Sequence, residues 1–481
     1  MRLELLDEPL LFFGDNKSSI HAQVGLLAYG PHGGSGTSKV TEIRAGIVGT
    51  KSSIDECKAF LSKLRGRILG EKRVSGDYDE IDFPGVGPKT PLGFDIVLDP
   101  GAILEIGPEV TKQLQDLGKW REAAMHLMEE YERQLHLLSE VHPPPQVTFL
   151  PIDATHLALC KNPTLKQEKI RLEARRFDNP NAANVPFLDF HNRIKAVSSS
   201  KNLRTQIIRP TTFAGGKGTQ DPSIVAWNFC VAAYYKATGL PWKLADLDDS
   251  ACHIGLGFYQ DFRNVDGTMS ASVAQVYMRT GESQVIRGKS FDWNDERDGR
   301  DVFLNRTHMT DLVTKSIKLF EDQRKKKPGR ITIHKPGPFN VEELEAIESA
   351  CPNGTSIDAV HVRNQTTFRA YHRGHDYPVV RGTTFLGKEE GFLFATGFTP
   401  AMNTYKGRGV PVPIQFRVQK MGTSMLTVAT DLMGLTKLDW NTTAFNTRKP
   451  VTIEVSHKVG EVMAEMHDIQ GEIPSNYAYY M

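Results

Sequence analysis

The sequence predicts an α/β protein with two domains. From residue 41 to about residue 245, apolar strand-like runs alternate with amphipathic helical segments, the pattern of βαβ crossovers and a parallel sheet. After residues 246–250 the pattern changes to three strand-like runs joined by turns, followed by helices and strands. A chain of 481 residues is long enough for each domain to have its own core. We therefore expect domains at 41–245 and 246–481, preceded by a linker-like segment at 1–40.

The first domain has the element order of a Rossmann-like fold. Hydrophobic periodicity predicts, in order, the strand EIRAGIVG, the helix SIDECKAFLSKL, the strand FDIVL, a long helical segment near 109–140, the strand VTFLPI, a helix near 188–198, the strand TQIIRP and a helix at 223–237. No GxGxxG motif follows the first strand, so the layout does not predict a bound dinucleotide. The earlier loop PHGGSGTSK lacks the Lys-Ser/Thr pair of a P-loop and is better explained as a linker.

The second domain begins with an antiparallel meander. Its predicted strands are CHIGLGFY, SASVAQVYM and ESQVIRG. Next come a helix near 309–326, the strand ITIHK, the helix VEELEAIESAC, the strands DAVHVRN, TTFRAY and GFLFATG, and helices at 423–438 and 451–465. A three-stranded meander followed by alternating helices and strands is the layout of an RNase H-like fold.

Composition indicates a globular protein of the cytoplasm. Hydrophobic residues make up 40% and charged residues 24%, and no run of about 18 apolar residues predicts a membrane helix. The opening MRLELLDEPLLFF carries acids where a signal peptide has bases. The five cysteines are widely spaced, without disulfide or zinc spacing. Net charge is +1, but basic residues cluster at 64–74, 324–330 and 361–375, and the last segment interleaves them with aromatics, as nucleic-acid surfaces do.

Four polar residues form a candidate anion site. His191 and Lys195 stand one helical turn apart, so both project from one face of the predicted helix. Gln206 lies in the next apolar run, and Lys236 lies near the end of the following helix. Two ammonium groups, an imidazole and an amide suit a dianion such as a terminal phosphate. Spacing alone leaves a second interpretation open, in which these are ordinary polar residues on two solvated helices.

The sequence segments around these residues resemble the MID-PIWI half of Argonaute proteins, in particular the short prokaryotic Argonautes. In that family the pocket for the 5′-phosphate of the guide reads Tyr or His, Lys four residues on, Gln, and then Lys in a helix that ends before Pro-Trp-Lys-Leu. This sequence has His191, Lys195, Gln206 and Lys236 in that order, followed by PWKL. Further matches are EPLLFFGD…GLLAYGPHG, TEIRAGIVGT and LTKLDWNTTAF…KPVTIEVSHKVGEVMAE. The resemblance runs from about residue 7 onward and implies a MID domain at 41–245 and a PIWI domain at 246–481.

The resemblance also implies that the PIWI domain is catalytically inactive. An active one holds two magnesium ions with carboxylates from neighbouring strands. Here Gly257 of HIGLGFY and Pro336 of HKPG stand at two of the Asp positions, and neither side chain can bind metal. His457 aligns with the fourth ligand, and Glu282 aligns weakly with the mobile Glu. The alternative is a metal-dependent, RNase H-like guided endonuclease that uses Glu282, His457 and nearby carboxylates. The nearby candidates are Asp261, Asp266 and Glu342.

Further expectations rest on the resemblance alone. They are a guide RNA, a single-stranded DNA target from plasmid or phage, and a separately encoded partner. That partner carries an APAZ region fused to a sirtuin domain, which we prefer, or to a TIR domain, and it depletes NAD+ in abortive infection. Guide phosphates are expected to follow a channel of basic residues, and the terminal carboxylate of Met481 is expected to share a Mg²⁺ with them. The channel residues are Arg363, Arg369, Lys437 and Lys458.

Overall fold

The computed structural model describes the chain outside a set of short gaps and one longer one. The residues left out are 34–38, 73–78, 118–119, 161–188, 215–218, 246, 261–267, 278–282, 294–300, 364, 372, 374–376, 406, 408, 446, 467–468 and 470–473. Among the described residues, no helix combines the length and the apolar character needed to cross a bilayer. The α/β class predicted from the sequence is confirmed.

The first residues are packed against both domains. Their elements are β1 (Arg2–Leu5), β2 (Leu11–Phe12), β3 (Ser18–Ser19) and α1 (Ala22–Tyr29). β1 pairs with the second domain at Thr383–Leu386, while β2 pairs with Lys243–Leu244. Leu11 and Phe13 are buried in the core. The expectation of a linker-like segment at 1–40 is therefore wrong for its described part. These strands are too short to show a period, and their stability comes from partners far along the chain.

The first domain is built on a parallel sheet of four strands in the order β5-β4-β6-β7. Its elements are β4 (Glu42–Thr50), α2 (Lys51–Lys63), β5 (Asp95–Ile106), α3 (Pro108–Asp116), α4 (Trp120–Ser139), β6 (Val147–Pro151), α5 (Ala154–Cys160), α6 (Phe190–Ser200), β7 (Thr205–Ile208), α7 (Pro210–Ala214), α8 (Pro222–Lys236) and β8 (Lys243–Leu244). Ile43, Ala45 and Ile47 of β4 belong to one core, and Val48 to a second, so helices cover both faces of the sheet. The predicted helix near 109–140 is two helices, and Gly118, a poor helix former, lies in the sequence between them.

The second domain contains a mixed ten-stranded sheet in the order β1-β15-β16-β17-β14-β13-β9-β10-β11, with β12 paired to β10. Its elements are β9 (Ala251–Gln260), β10 (Thr268–Tyr277), β11 (Ser283–Arg287), β12 (Ser290–Asp292), α9 (Arg306–Arg324), β13 (Arg330–Lys335), α10 (Val341–Ala350), β14 (Ser356–Arg363), β15 (Thr383–Leu386), β16 (Glu390–Leu393), β17 (Ile414–Lys420), α11 (Met425–Leu435) and α12 (Val451–Met463). The predicted meander forms β9, β10 and β11, and β13 joins β9 in parallel. Helices α9 and α10 cover one face of these strands, and α12 packs on the other.

Two strand predictions differ from the structure. The run TTFRAY at 366–371 forms no strand, and the chain instead pairs at β15. β17 was not predicted, although Ile414, Phe416 and Val418 alternate with polar residues and are buried between sheet and helix. The alternation was therefore present in the sequence.

Candidate functional site

The four predicted anion-site residues lie on three elements of the first domain. The side chain of Asp189 caps α6 by accepting a hydrogen bond from the amide of Asn192 at 3.0 Å. This start places His191 in the first turn of α6 and Lys195 one turn later. Gln206 follows on β7, and Lys236 is the last residue of α8. The site thus sits where α6 and α8 meet an edge strand of the parallel sheet.

Three of these residues and the last residue of the sequence form two neighbouring sets of hydrogen bonds, which we call the lysine cluster. The ammonium of Lys195 donates to the main-chain oxygen of Met481 at 2.6 Å and to the carbonyl of Thr205. The ammonium of Lys236 donates to the side-chain oxygen of Gln206. Both lysines are 1% exposed. Thr205 and Gln206 are consecutive on β7, and the charge of Lys195 acts on the pKa of Lys236, so the two ammonium groups lie near each other. That they form one anion site stays a prediction.

The two ammonium groups lack a compensating negative side chain. Within the described residues, neither Lys195 nor Lys236 forms an ion pair with an aspartate or a glutamate. Burial lowers the pKa of Lys195 to about 7. Burial, and then the charge of Lys195, hold the pKa of Lys236 well below its usual value. Burial of an ammonium group is unfavourable unless an anion compensates it, so an anion entering this cluster would stabilise both charged forms.

His191 lies near Lys195 and a further cation. Its ring contacts the side-chain oxygen of Asn192 at 3.3 Å, and the residue is exposed to solvent. Desolvation by surrounding protein, followed by the charge of Lys195, lowers its pKa to about 4. His191 is thus the solvent-exposed member of the four predicted residues, and its part in an anion site stays a prediction. Arg209 also acts on this pKa, and it directly follows β7. Sequence reasoning missed Arg209, although a cation after the carboxyl end of a parallel strand is a recognisable signal in TQIIRP.

The segment that carries Met481 is firmly packed. Tyr477, Tyr480 and Met481 are buried in the core that joins the two domains. The guanidinium of Arg204 lies 4.7 Å from the ring centre of Tyr479, and the amide of Val285 donates to the carbonyl of Ser475 at 2.5 Å. These contacts hold the main-chain oxygen of Met481 beside Lys195.

The oxygens of this cluster do not fit a magnesium ion. The main-chain oxygen of Met481 and the side-chain oxygen of Gln206 each accept a hydrogen bond from an ammonium group. No group of three His, Cys, Asp or Glu suited to a metal occurs in the described part of the chain. Mg²⁺ prefers six oxygen ligands, including carboxylates. The expected Mg²⁺ at Met481 is therefore not supported, because Lys195 already supplies the positive charge at that oxygen.

The degenerate catalytic positions do not form a ligand set. A Cβ atom added to Gly257 would lie 2.7 Å from the carbonyl oxygen of Ser456 and 3.0 Å from its Cβ. The backbone of α12 therefore occupies the space that a side chain at 257 would need. Pro336 follows the end of β13. The side chain of His457 is 71% exposed and lies 4.0 Å from Glu461. Glu282, Asp261 and Asp266 lie outside the described residues.

In the free chain Lys437, which was expected to contact a guide phosphate, bonds to the protein itself. Its ammonium pairs with Glu8 at 2.5 Å and donates to the carbonyls of Ile20 at 3.1 Å and Phe445 at 2.7 Å. It also lies 3.6 Å from the ring centre of Phe445. All three N–H groups are used inside the protein, and burial lowers the pKa of Lys437 to about 7. In the free chain Glu8 of the packed N-terminal segment therefore holds this ammonium, and its contact with a guide phosphate stays a prediction.

The other channel residues lie closer to solvent. Lys458 is half-buried and lies 3.3 Å from Glu454 and 3.9 Å from Asp439. Arg369 is exposed and donates to the carbonyls of Thr366 and Phe368. Arg363 donates to His361 at 3.2 Å, beside a cavity of about 250 Å³. Arg417 also lines this cavity. Glu390 lines the cavity as well, and Arg417 lies 3.5 Å from Glu389, so the charge at this cavity is mixed.

Neither a family model nor a curated protein of similar sequence matches the chain. Three solved structures are similar in fold. Clostridium butyricum Argonaute, bound to a guide DNA with 5′ deoxycytidine and a 19-mer target DNA, matches with a TM-score of 0.67 and 14% identity over 98% of this chain and 54% of its own. Drosophila Piwi matches with a TM-score of 0.60 and 12% identity over 99% and 56%. Marinitoga piezophila Argonaute in complex with a 5′ OH guide RNA matches with a TM-score of 0.56 and 12% identity over 97% and 59%.

These likenesses show an Argonaute-type fold, in which the parallel sheet corresponds to the MID domain and the ten-stranded sheet to the RNase H-like PIWI domain. The chain spans between half and two thirds of the length of each of these proteins.

Proposed function

We propose that the chain is the guide-binding subunit of an Argonaute system. It holds a guide RNA by its 5′-phosphate and uses that guide to recognise complementary single-stranded DNA from plasmids or phage. The observation that carries this proposal is the cluster of two buried ammonium groups, Lys195 and Lys236, with no carboxylate side chain paired to them among the described residues. Support also comes from the fold, since two of the similar structures hold guide strands.

A terminal phosphate would replace internal acceptors with stronger ones. In the free chain the two ammonium groups donate to the carbonyl of Thr205, the side-chain oxygen of Gln206 and the main-chain oxygen of Met481. A phosphate carries about −1.5 to −2 charges at pH 7 and accepts charge-assisted hydrogen bonds. When Lys236 turns to the phosphate, Gln206 is released, and its amide nitrogen, now 3.4 Å from the carbonyl of Ile207, is able to donate as well.

Sequence recognition would then come from the guide rather than from the protein. The phosphate fixes one end of the guide. Exposed basic side chains such as Arg363 then contact the phosphodiester backbone of the guide and hold its path. Base pairing with the target supplies specificity, as in other RNA-guided systems. We propose that the target is left uncut, because Gly257 has no room for a carboxylate and His457 points to solvent.

The effector step rests on the resemblance of the sequence to short prokaryotic Argonautes. We propose a separate APAZ-containing partner, fused to a sirtuin domain in preference to a TIR domain, that depletes NAD+ when guide and target are both bound. Purified chain with partner, guide and target should consume NAD+, and omission of guide or target should abolish consumption. NAD+ loss that persists without guide would contradict this coupling.

The phosphate site is tested by comparing 5′-phosphorylated and 5′-hydroxyl RNA guides in an anisotropy titration. Lys195→Met and Lys236→Met keep the apolar stem and remove the charge. Each should weaken binding of the phosphorylated guide roughly ten- to a hundred-fold, since a hydrogen bond to a charged group contributes about 1.5–3 kcal/mol. Lys315→Ala, on an exposed lysine paired with Asp311 at 2.7 Å, is the matched control. A wild type that binds both guides equally, or a loss that is the same for both guides, would place the site elsewhere.

A further inference from the structure

The edge of the large sheet is formed by β1. Within the described part of the chain, β1 pairs on one side only, with β15. An edge strand presents unpaired backbone N–H and C=O groups that are able to pair with a strand from another chain. The side chains on this strand are exposed leucines and a pair of opposite charges.

The backbone groups that remain free belong to Leu3 and Leu5. In an antiparallel pair, residues alternate between positions that exchange hydrogen bonds with the partner strand and positions that do not. Glu4 faces Thr384, and in the same register the amide of Leu6 donates to the carbonyl of Gly382 at 3.0 Å. The even-numbered residues therefore bond to β15. The N–H and C=O groups of Leu3 and Leu5 point away from the sheet.

The side chains of β1 separate into an apolar and a charged face. Met1, Leu3 and Leu5 are 73%, 62% and 63% exposed. Arg2 and Glu4 lie on the opposite face and form an ion pair with each other. Exposed apolar side chains in a row on an edge strand are unfavourable in water, and covering them would stabilise the protein.

We propose that β1 pairs with β1 of a second copy of this chain, antiparallel and centred on Leu3. This register places Leu3 opposite Leu3 of the second copy, at a position where both exchange backbone hydrogen bonds. It places Arg2 opposite Glu4 of the second copy, and Glu4 opposite its Arg2, at positions where opposing Cα atoms come closest. The sequence Arg-Leu-Glu is thus complementary to itself across a two-fold axis, as an isologous interface requires.

A cavity of mixed lining adjoins the proposed contact. In the same register, Met1 of the second copy lies opposite Leu5. Leu5 lines a cavity of about 380 Å³ together with Leu247, Leu426 and Met433, and the acidic residues Glu4, Asp7, Glu8 and Asp431 line other parts of it. The leucines and Met433 give the flexible Met side chain an apolar surface next to the strand pair. A four-residue strand pair buries less than the roughly 1,000 Å² of a stable interface, so we expect a weak and reversible dimer.

Charge reversal tests this register through sedimentation equilibrium of the untagged full chain at about 1–200 μM. Arg2→Glu gives a strand with two acids, and Glu4→Arg gives a strand with two bases. Each variant alone should remain monomeric, because like charges meet across the axis. An equimolar mixture should form the dimer again, as should the double variant Arg2→Glu/Glu4→Arg. Arg2 is exposed and Glu4 is half-buried, and their ion pair with each other is at the surface, so the apparent Tm of the double variant, which keeps the pair, should stay at the wild-type value.

The control variant is Arg306→Glu, which breaks an exposed ion pair with Glu345 on another surface and should dimerise as the wild type does. A wild type that is monomeric at every concentration would overturn the proposal. A dimer that survives both single reversals would overturn it as well, because it would lie on another surface. If the two single variants dimerise only when they are mixed, both must be folded, and their failure to dimerise separately is due to charge repulsion.

Discussion

Gly257 offers the sharpest test of how the PIWI-type domain is built. Replacing it with Ala adds one Cβ atom, which would lie 2.7 Å from the carbonyl oxygen and 2.9 Å from the carbonyl carbon of Ser456. These atoms are backbone of α12, so relief requires a shift of the whole helix. Overpacking of this kind costs about 1–3 kcal/mol. Gly257→Asp adds a carboxylate with no partner in the same space, at a further cost of roughly 1–3 kcal/mol even as the neutral acid.

The assay is thermal and urea unfolding of the two variants and the wild type. For a domain of this size, 1 kcal/mol shifts the Tm by about 2–4 °C, so Gly257→Ala should lose several degrees and Gly257→Asp about twice as much. Gly66→Ala is the control, because the nearest atom to its added Cβ is 3.6 Å away. An unchanged Tm for Gly257→Ala would refute the close contact with α12.

Cleavage assays on the wild type and on a double variant at positions 257 and 336 distinguish an inactive protein from a guided endonuclease. Gly257→Asp combined with Pro336→Asp should remain unable to cut a guide-paired target in Mn²⁺, because α12 blocks position 257 and the side chain of His457 is exposed. Guide-dependent cleavage by the wild type, lost on mutation of Glu282 or His457, would show that the endonuclease alternative is correct.

Three further predictions concern the charged residues. The pKa of Lys195 is about 7 in the free chain, so above that pH the binding of a phosphorylated guide takes up a proton at Lys195. Guide affinity should therefore fall by about tenfold per pH unit above pH 7. It should also fall below about pH 6, because the phosphate itself gains a proton there. A flat profile from pH 6 to 9 would contradict this. Glu8→Gln should cost about 3 kcal/mol in urea unfolding by leaving Arg381 and Lys437 unpaired, with guide affinity unchanged. Residues appended after Met481 should weaken guide binding severalfold in the anisotropy titration, because they would disturb the contact between Met481 and Lys195. EDTA should leave guide binding unchanged, because Lys195 rather than a metal ion contacts the Met481 oxygen.

The sequence was informative where a signal is local. Alternation of apolar strands and amphipathic helices predicted both domains, and helical spacing predicted that Lys195 faces the same way as His191. The order of the four polar residues predicted one site, and in the structure Lys236 contacts Gln206 while Lys195 contacts the adjacent Thr205. Their burial was not predictable, since a lysine on a helix is usually exposed.

What the sequence did not indicate depends on contacts between distant segments. Lys437 was expected in a channel, and in the free chain Glu8 of the packed N-terminal segment holds its ammonium. Gly257 was interpreted as a lost ligand, whereas its lack of a side chain lets α12 approach β9. Nothing in the local sequence around Glu8 or α12 indicates which distant residues they contact. Such contacts become visible only when the chain is folded.

The position of the lysine cluster suggests why a guide would act on the whole chain. Lys195 and Lys236 belong to the first domain, while Met481 follows the last helix of the second. Between them the rings of Tyr235 and Trp440 stack at 4.5 Å, and one continuous core contains both. A phosphate bound at Lys195 would compete directly with the oxygen of Met481 for the same ammonium. Guide binding would therefore change the contact between Lys195 and Met481, which joins the two domains. A change in this contact would give the empty and the guide-bound subunit different structures.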